Sequence, residues 1–195
     1  LFSAGEEAAC VPQFISGKKR EEASAGALLG TAVHRVLECL DFTREPLGDS
    51  LEDQIRQMEE DGRLLEDQVT RIPLEKVRKF LGTSIAGRMA VAAAAGRLFL
   101  EQPFVMGDLP EKIFGDGSAS EEMLLVQGII DVFFEEEDGI VLLDYKTDRV
   151  REAEELIRRY RRQLELYGEA LERTRGKRVK ERYLYSFALG KTIRV

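Results

Sequence analysis

Residues 126–148 read VQGIIDVFFEEEDGIVLLDYKTD, and this stretch decides the fold. Two apolar, β-branched and aromatic segments, 123–135 and 140–146, flank EEEDG, which ends in the tight-turn pair Asp138-Gly139. The pattern predicts an antiparallel hairpin. Asp131 stands inside the first strand and Asp144 inside the second, each among apolar neighbours. An unpaired carboxylate in such surroundings is costly, so each needs a cation or hydrogen-bond donors nearby. Lys146 follows Asp144 by two positions, and side chains at i and i+2 share a strand face; Tyr145 points to the other side. The 13 residues from Asp131 to Asp144 span a short turn, which lets the two carboxylates sit on neighbouring strands and converge on one metal ion. The Asp-x-Lys spacing alone fits equally a buried ion pair with Asp131 at a strand end.

The flanking segments extend the sheet. LFLEQPFVM (98–106) reads as a strand with Pro103 near an edge or bulge. Residues 152–172 form an amphipathic helix, VKERYLYSFAL (179–189) alternates as a strand, and KTIRV closes the chain. Upstream, Leu29, Val33, Val36, Leu37 and Leu40 recur at helical spacing within 26–40. A charged helix is expected over 51–61, another from Pro73, and an Ala-rich one running to Gly96. Residues 1–25 read as a loose lead-in at a domain boundary. The predicted class is α/β, a mixed β-sheet flanked by helices, with a helical part at 26–96 and a sheet core at 97–195.

A chain of 195 residues with 44% hydrophobic content is sufficient for one domain with a real core. No apolar run approaches the roughly 18 residues of a membrane span. LFSAGEEAAC lacks the basic start and apolar run of a secretory signal, so none is expected. Cys10 and Cys39 are too few for a disulfide framework or a four-cysteine cluster and are expected as reduced thiols in a cytoplasmic protein. The net charge of −7 by itself counts against a phosphate partner. It is unevenly spread, however. Residues 146–182 carry 13 basic and 8 acidic side chains, a net of +5, whereas 1–145 carry −14. That polarity suits one face meeting a nucleic acid, and it suits Arg- and Glu-rich solvated helices as well.

Two further patterns bear on chemistry. His34, the only histidine, lies on the first helix with Gly30 at i−4 and Glu38 at i+4 on the same face. Gly30 would let that helix approach the sheet closely and bring His34 over the hairpin, although a lone helical histidine is more often a core or surface residue than a ligand. On the later helix Tyr160, Gln163 and Tyr167 share a face with Leu164 and Leu171, either a core stripe with polar tips or part of a site. Arg158, Arg159, Arg161 and Arg162 surround the stripe, and they fit phosphates or a solvated face. Leu189-Gly190-Lys191-Thr192 imitates the end of a phosphate-binding loop. That loop needs a glycine where Tyr185 stands and a helix afterwards, so no ATP site is expected here.

Gly30-x-x-x-His34-x-x-x-Glu38, Gly128-Ile129-Ile130-Asp131, Asp144-Tyr145-Lys146-Thr147-Asp148 and Gln163-x-x-x-Tyr167 occur in that order. Together they resemble the motifs of the RecB-type branch of the PD-(D/E)XK nucleases, and over 86–172 most of all those of AddA-type helicase–nucleases. The resemblance covers 26–190. It implies a restriction-endonuclease-like fold and a metal-dependent deoxyribonuclease domain, an exonuclease within a complex that processes double-strand breaks for recombinational repair. His34, Asp131, Asp144 and the backbone carbonyl of Tyr145 would hold Mg²⁺ or Mn²⁺. Lys146 would orient a water or neutralise developing charge, and Gln163 and Tyr167 would brace the site; Glu38 and Glu101 are left outside it. Implied partners are DNA, delivered as a single strand by helicase domains of the parent chain, and an AddB-like protein. With two cysteines no iron–sulfur cluster is expected. The alternatives are an inactive nuclease-like DNA-binding or scaffolding module and a standalone RecB-type exonuclease.

Overall fold

The computed structural model describes residues 25–44, 50–108 and 123–195. The expected lead-in, up to residue 24, and Cys10 lie outside the described residues. Among the described residues five helices come first: α1 (Ala25–Cys39), α2 (Leu51–Glu60), the single turn α3 (Glu66–Val69), α4 (Leu74–Leu81) and α5 (Ser84–Ala94). Three strands follow, β1 (Leu98–Asp108), β2 (Leu124–Glu136) and β3 (Gly139–Lys146), then α6 (Ala153–Arg175), β4 (Val179–Ser186) and β5 (Lys191–Arg194). No helix among the described residues is long and apolar enough to cross a membrane.

One five-stranded sheet has the order β1-β2-β3-β4-β5. Its pairs are antiparallel except β3–β4, which is parallel and uses α6 as its crossover. The β2–β3 hairpin is as predicted. Gly139 at its turn has φ +147, and a Cβ there would lie 2.7 Å from the Arg178 carbonyl oxygen, so a side chain is excluded twice over. Pro103 lies on β1, at the edge of the sheet, where its missing N–H costs no ladder bond. The single strand expected over 179–189 ends instead at Ser186; Gly190, with φ +61, turns the chain and KTIR returns as β5. A strand, not a helix, thus begins at Lys191.

Both faces of the sheet are covered. Val132, Phe134, Val141, Leu143, Tyr145 and Tyr185 pack toward the N-terminal helices. Phe133, Ile140, Leu142 and Leu184 pack toward α6. This two-sided burial explains why GIVLLDYK is nearly continuously apolar. Alternation slips once. On the Leu98 and Phe134 side of Glu101 and Asp131, even-numbered residues of β1 and β2 face the N-terminal helices; beyond them, Phe104, Met106, Val126 and Ile130 face α6. The register is the same on both sides of the slip (Leu100↔Val132, Gln102↔Ile130), and the Glu101–Asp131 position between them is unpaired. Glu101 has φ +47, a left-handed conformation unusual for a residue with a Cβ, at a cost of roughly 1–3 kcal/mol.

The helical layer is joined to the sheet by an aromatic cluster. Phe80 of α4 meets Tyr145 at 5.3 Å, Tyr185 at 4.7 Å and Phe187 at 6.1 Å between ring centroids. Across the sheet edge, Arg88 of α5 binds Glu136 through two 2.9 Å bonds and Glu181 through one of 2.6 Å. Phe80→Ala empties the centre of the cluster and is expected to cost roughly 3–5 kcal/mol of unfolding free energy. Val91→Ala, at a 69% exposed position, should change it by no more than about 0.5 kcal/mol. Urea denaturation of the two variants checks the difference.

Candidate active site

The slip at Glu101 and Asp131 faces α1. Here α1 runs close to the end of β3: a Cβ on Gly30 would stand 3.0 Å from Thr147 Oγ1. The near approach sets His34, one turn further on, against the sheet. Its Nδ1 is 3.5 Å from Asp131 Oδ1 and 3.8 Å from Glu101 Oε1. Its ring stands edge-on to Tyr145, with centroids 5.8 Å apart. One ligand-type atom from each of His34, Glu101 and Asp131 lies within 4.8 Å of the others. Asp131 is fixed by the Tyr145 N–H, which donates to its Oδ2 at 2.8 Å in place of a strand partner. Asp144 is 1% exposed, and Lys146 Nζ is 2.5 Å from its Oδ2. The Lys146 ammonium is the close partner of that oxygen.

The electrostatics report an excess of negative charge. Burial, and next to it the charge of Asp144, push the Asp131 carboxyl up to about 7, against the pull of His34, Lys146 and the Tyr145 N–H. Burial lowers the His34 imidazole, but Glu101, Asp131 and Asp144 outweigh it and raise it above its ordinary value. Burial likewise lowers Lys146, and Asp144 and Asp131 more than restore it. Tyr167 is raised by burial and by Asp144. A divalent cation would offset the carboxylate charge that contributes to each of these shifts. One imidazole with neighbouring carboxylate oxygens fits Mg²⁺ or Mn²⁺.

The structure places His34 beside Asp131 and Lys146 beside Asp144, and Asp131 feels the charges of the other three. Tyr145 packs its ring into the helix-side core, opposite the Asp144–Lys146 pair. Glu101 has to be added: the sequence reading leaves it out, yet it lies beside His34 and Asp131. Its only local signal is a carboxylate in an apolar strand two residues ahead of Pro103. Glu38 stays outside, bound to Arg35 at 2.6 Å. Gln163 Nε2 donates to the Tyr167 hydroxyl at 2.7 Å, and the Tyr167 ring meets Phe104 at 5.4 Å. Asp148, the last residue of LLDYKTD, accepts from Tyr160 Oη at 2.9 Å and from Arg159 at 2.8 Å. Of the four arginines around this stripe, Arg159 and Arg162 are engaged by carboxylates, whereas Arg158 and Arg161 are exposed.

A family model for the PD-(D/E)XK nuclease superfamily matches residues 8–192. The chain belongs to that superfamily. The PD-(D/E)XK assignment is accompanied by strong similarity to the A subunits of bacterial ATP-dependent helicase/nucleases. That of Lachnoclostridium phytofermentans is 35% identical over 219 residues, covering 95% of this chain and 16% of the relative. That of Thermoanaerobacter sp. (strain X514) is 40% identical over 189 residues, covering 92% and 14%. That of Syntrophomonas wolfei is 39% identical over 188 residues, covering 95% and 15%. The chain thus spans about one-seventh of the length of the relatives it matches.

The raised Asp131 carboxyl has a consequence for stability. The folded state holds this proton more tightly than the unfolded chain does, so metal-free protein loses stability as pH rises from about 4 to about 7. Thermal melts in chelator are expected to fall across that window and to be flatter for Asp131→Asn. Added Mn²⁺ or Mg²⁺ should raise the wild-type melting temperature at pH 8 and leave the variant's nearly unchanged.

Proposed function

We propose that this chain is the nuclease domain of an AddA-type helicase–nuclease and hydrolyses phosphodiester bonds of DNA with Mg²⁺ or Mn²⁺. One observation carries the reading: an imidazole, three carboxylates and an ammonium group meet where the β1–β2 ladder is interrupted. His34, Glu101, Asp131, Asp144 and the Tyr145 carbonyl are the groups that would hold the cation. A bound divalent cation supplies Lewis-acid polarisation of a phosphoryl oxygen and a more acidic water. Hydrolysis places a water oxygen on phosphorus and breaks one P–O ester bond, leaving a phosphate monoester and a hydroxyl.

This chain's own groups do the rest. Asp144 fixes the Lys146 ammonium at the site's edge, where it can donate to the attacking water and face charge developing on the phosphoryl oxygens. Gln163 and Tyr167, hydrogen-bonded to each other on α6, would brace the site. The names of the relatives support a setting in which helicase domains of a longer chain and an AddB-like protein deliver a single strand, cleaved exonucleolytically during break repair.

Purified chain is expected to degrade end-labelled single-stranded DNA with Mg²⁺ or Mn²⁺ and not in chelator. Asp144→Ala and Lys146→Ala should each lower the rate by roughly 10²–10³-fold or more. Cleavage that survives undiminished in both variants overturns the assignment, and a nuclease-like module without activity would give no metal-dependent product at all.

A further inference from the structure

Tyr160 is the one aromatic residue of the α6 stripe that the proposed chemistry leaves unused. It lies outside the Gln163-x-x-x-Tyr167 pair, yet it is the closer neighbour of Lys146. The Lys146 Nζ stands 4.2 Å from the centroid of the Tyr160 ring, over its face. On its other side Asp144 Oδ2 is 2.5 Å away. The Lys146 side chain is 12% exposed, so little water competes for the ammonium. The ring is itself fixed. Its hydroxyl donates to Asp148 at 2.9 Å and 3.0 Å to the two carboxylate oxygens, and Arg159 holds Asp148 at 2.8 Å.

We propose that Tyr160 is a positioning residue for Lys146, its ring face and the Asp144 carboxylate together holding the ammonium in one place. A lysine has four flexible carbons and a compact charge, so one charged partner fixes its distance but not its direction. The electron-rich ring face supplies the second constraint, and it is strongest where water is excluded. Asp148 thereby acquires a role in the LLDYKTD segment: it anchors the ring that positions the lysine two residues before it.

The inference rests on the nuclease reading above, and its test separates the two. Tyr160→Phe keeps the ring face and loses only the hydroxyl bond. Tyr160→Leu and Tyr160→Met remove the ring, the latter with an unbranched side chain suited to a helix in case the former folds poorly. Two measurements are made: steady-state cleavage of single-stranded DNA with Mn²⁺, and acylation of Lys146 by a water-soluble N-hydroxysuccinimide ester, read by peptide mass spectrometry. The second uses protein without metal or DNA. The expected result is kcat within about threefold of wild type for the Phe variant and about 10- to 30-fold lower for Leu and Met, with KM unchanged. Lys146 should be acylated at least about fivefold faster in the ring-less variants than in wild type or the Phe variant. A Phe variant as slow as the Leu variant overturns the proposal in favour of the hydroxyl latch. Ring-less variants equal to wild type in either measurement, or changed in KM alone, overturn it as well. If wild type itself does not cleave, the nuclease reading fails and the acylation rates alone decide whether Tyr160 places Lys146.

Discussion

Two carboxylates of like charge, Asp131 and Asp144, are held inside an apolar sheet, and the surrounding architecture is arranged to keep them there. Burying them costs more than the available cations return, since burial and Asp144 still drive the Asp131 carboxyl upward. The backbone makes the arrangement possible. Where β1 and β2 slip, no strand partner occupies the space beside Asp131, and its carboxylate takes the Tyr145 N–H instead. The same slip leaves Glu101 in a left-handed conformation. Strain, an interrupted ladder and uncompensated charge thus coincide at one point, as is common where a fold carries chemistry and rare where it merely packs.

The parts of this design that depend on period and short range are legible in the sequence. Apolar, β-branched and aromatic runs identify β2 and β3, Asp138-Gly139 identifies their turn, and the i, i+2 rule puts Asp144 and Lys146 on one face. The gap at Gly30 announces the close approach of α1 because an absent side chain there has a simple steric meaning. The slip is not legible, because it is a property of two paired strands far apart in sequence, and neither strand breaks its own alternation visibly. Glu101 is missed for that reason. Asp148 is missed for another: its partners Arg159 and Tyr160 become neighbours only once α6 has docked over the end of β3. The end of β4 at Ser186, short of the expected 189, and the return of 191–194 as β5 turn on Gly190, whose left-handed φ carries no signature beyond the glycine itself.

Charge along the chain also reads differently once folded. The basic excess after residue 145 suggests a phosphate-facing surface, yet several of those cations return to carboxylates of the N-terminal part. Arg173 binds Asp108, Lys177 binds Glu135, and Lys180 binds Glu136 and Asp138. A portion of the asymmetry is therefore consumed in joining α6 and β4 to the β1–β2–β3 meander. Among the described residues, Arg158 and Arg161 stay exposed.

The helix α6 joins stability to chemistry. Leu156, Leu164 and Leu171 enter the core beneath the sheet, while Tyr160 of the same element lies against Lys146 and Tyr167 feels the charge of Asp144. The helix is 23 residues long, serves as the crossover between the parallel strands, and packs on the sheet through Leu156, Leu164, Tyr167 and Leu171. Groups mounted on such an element are held within narrow limits, which a loop could not provide. The lysine needs this support more than the carboxylates do. Asp131 and Asp144 are fixed by the strands that bear them, whereas the ammonium of Lys146 sits at the end of a long side chain and takes its final position from what surrounds it. Precision at that one atom comes from a helix whose primary contribution to the fold is to bury leucines.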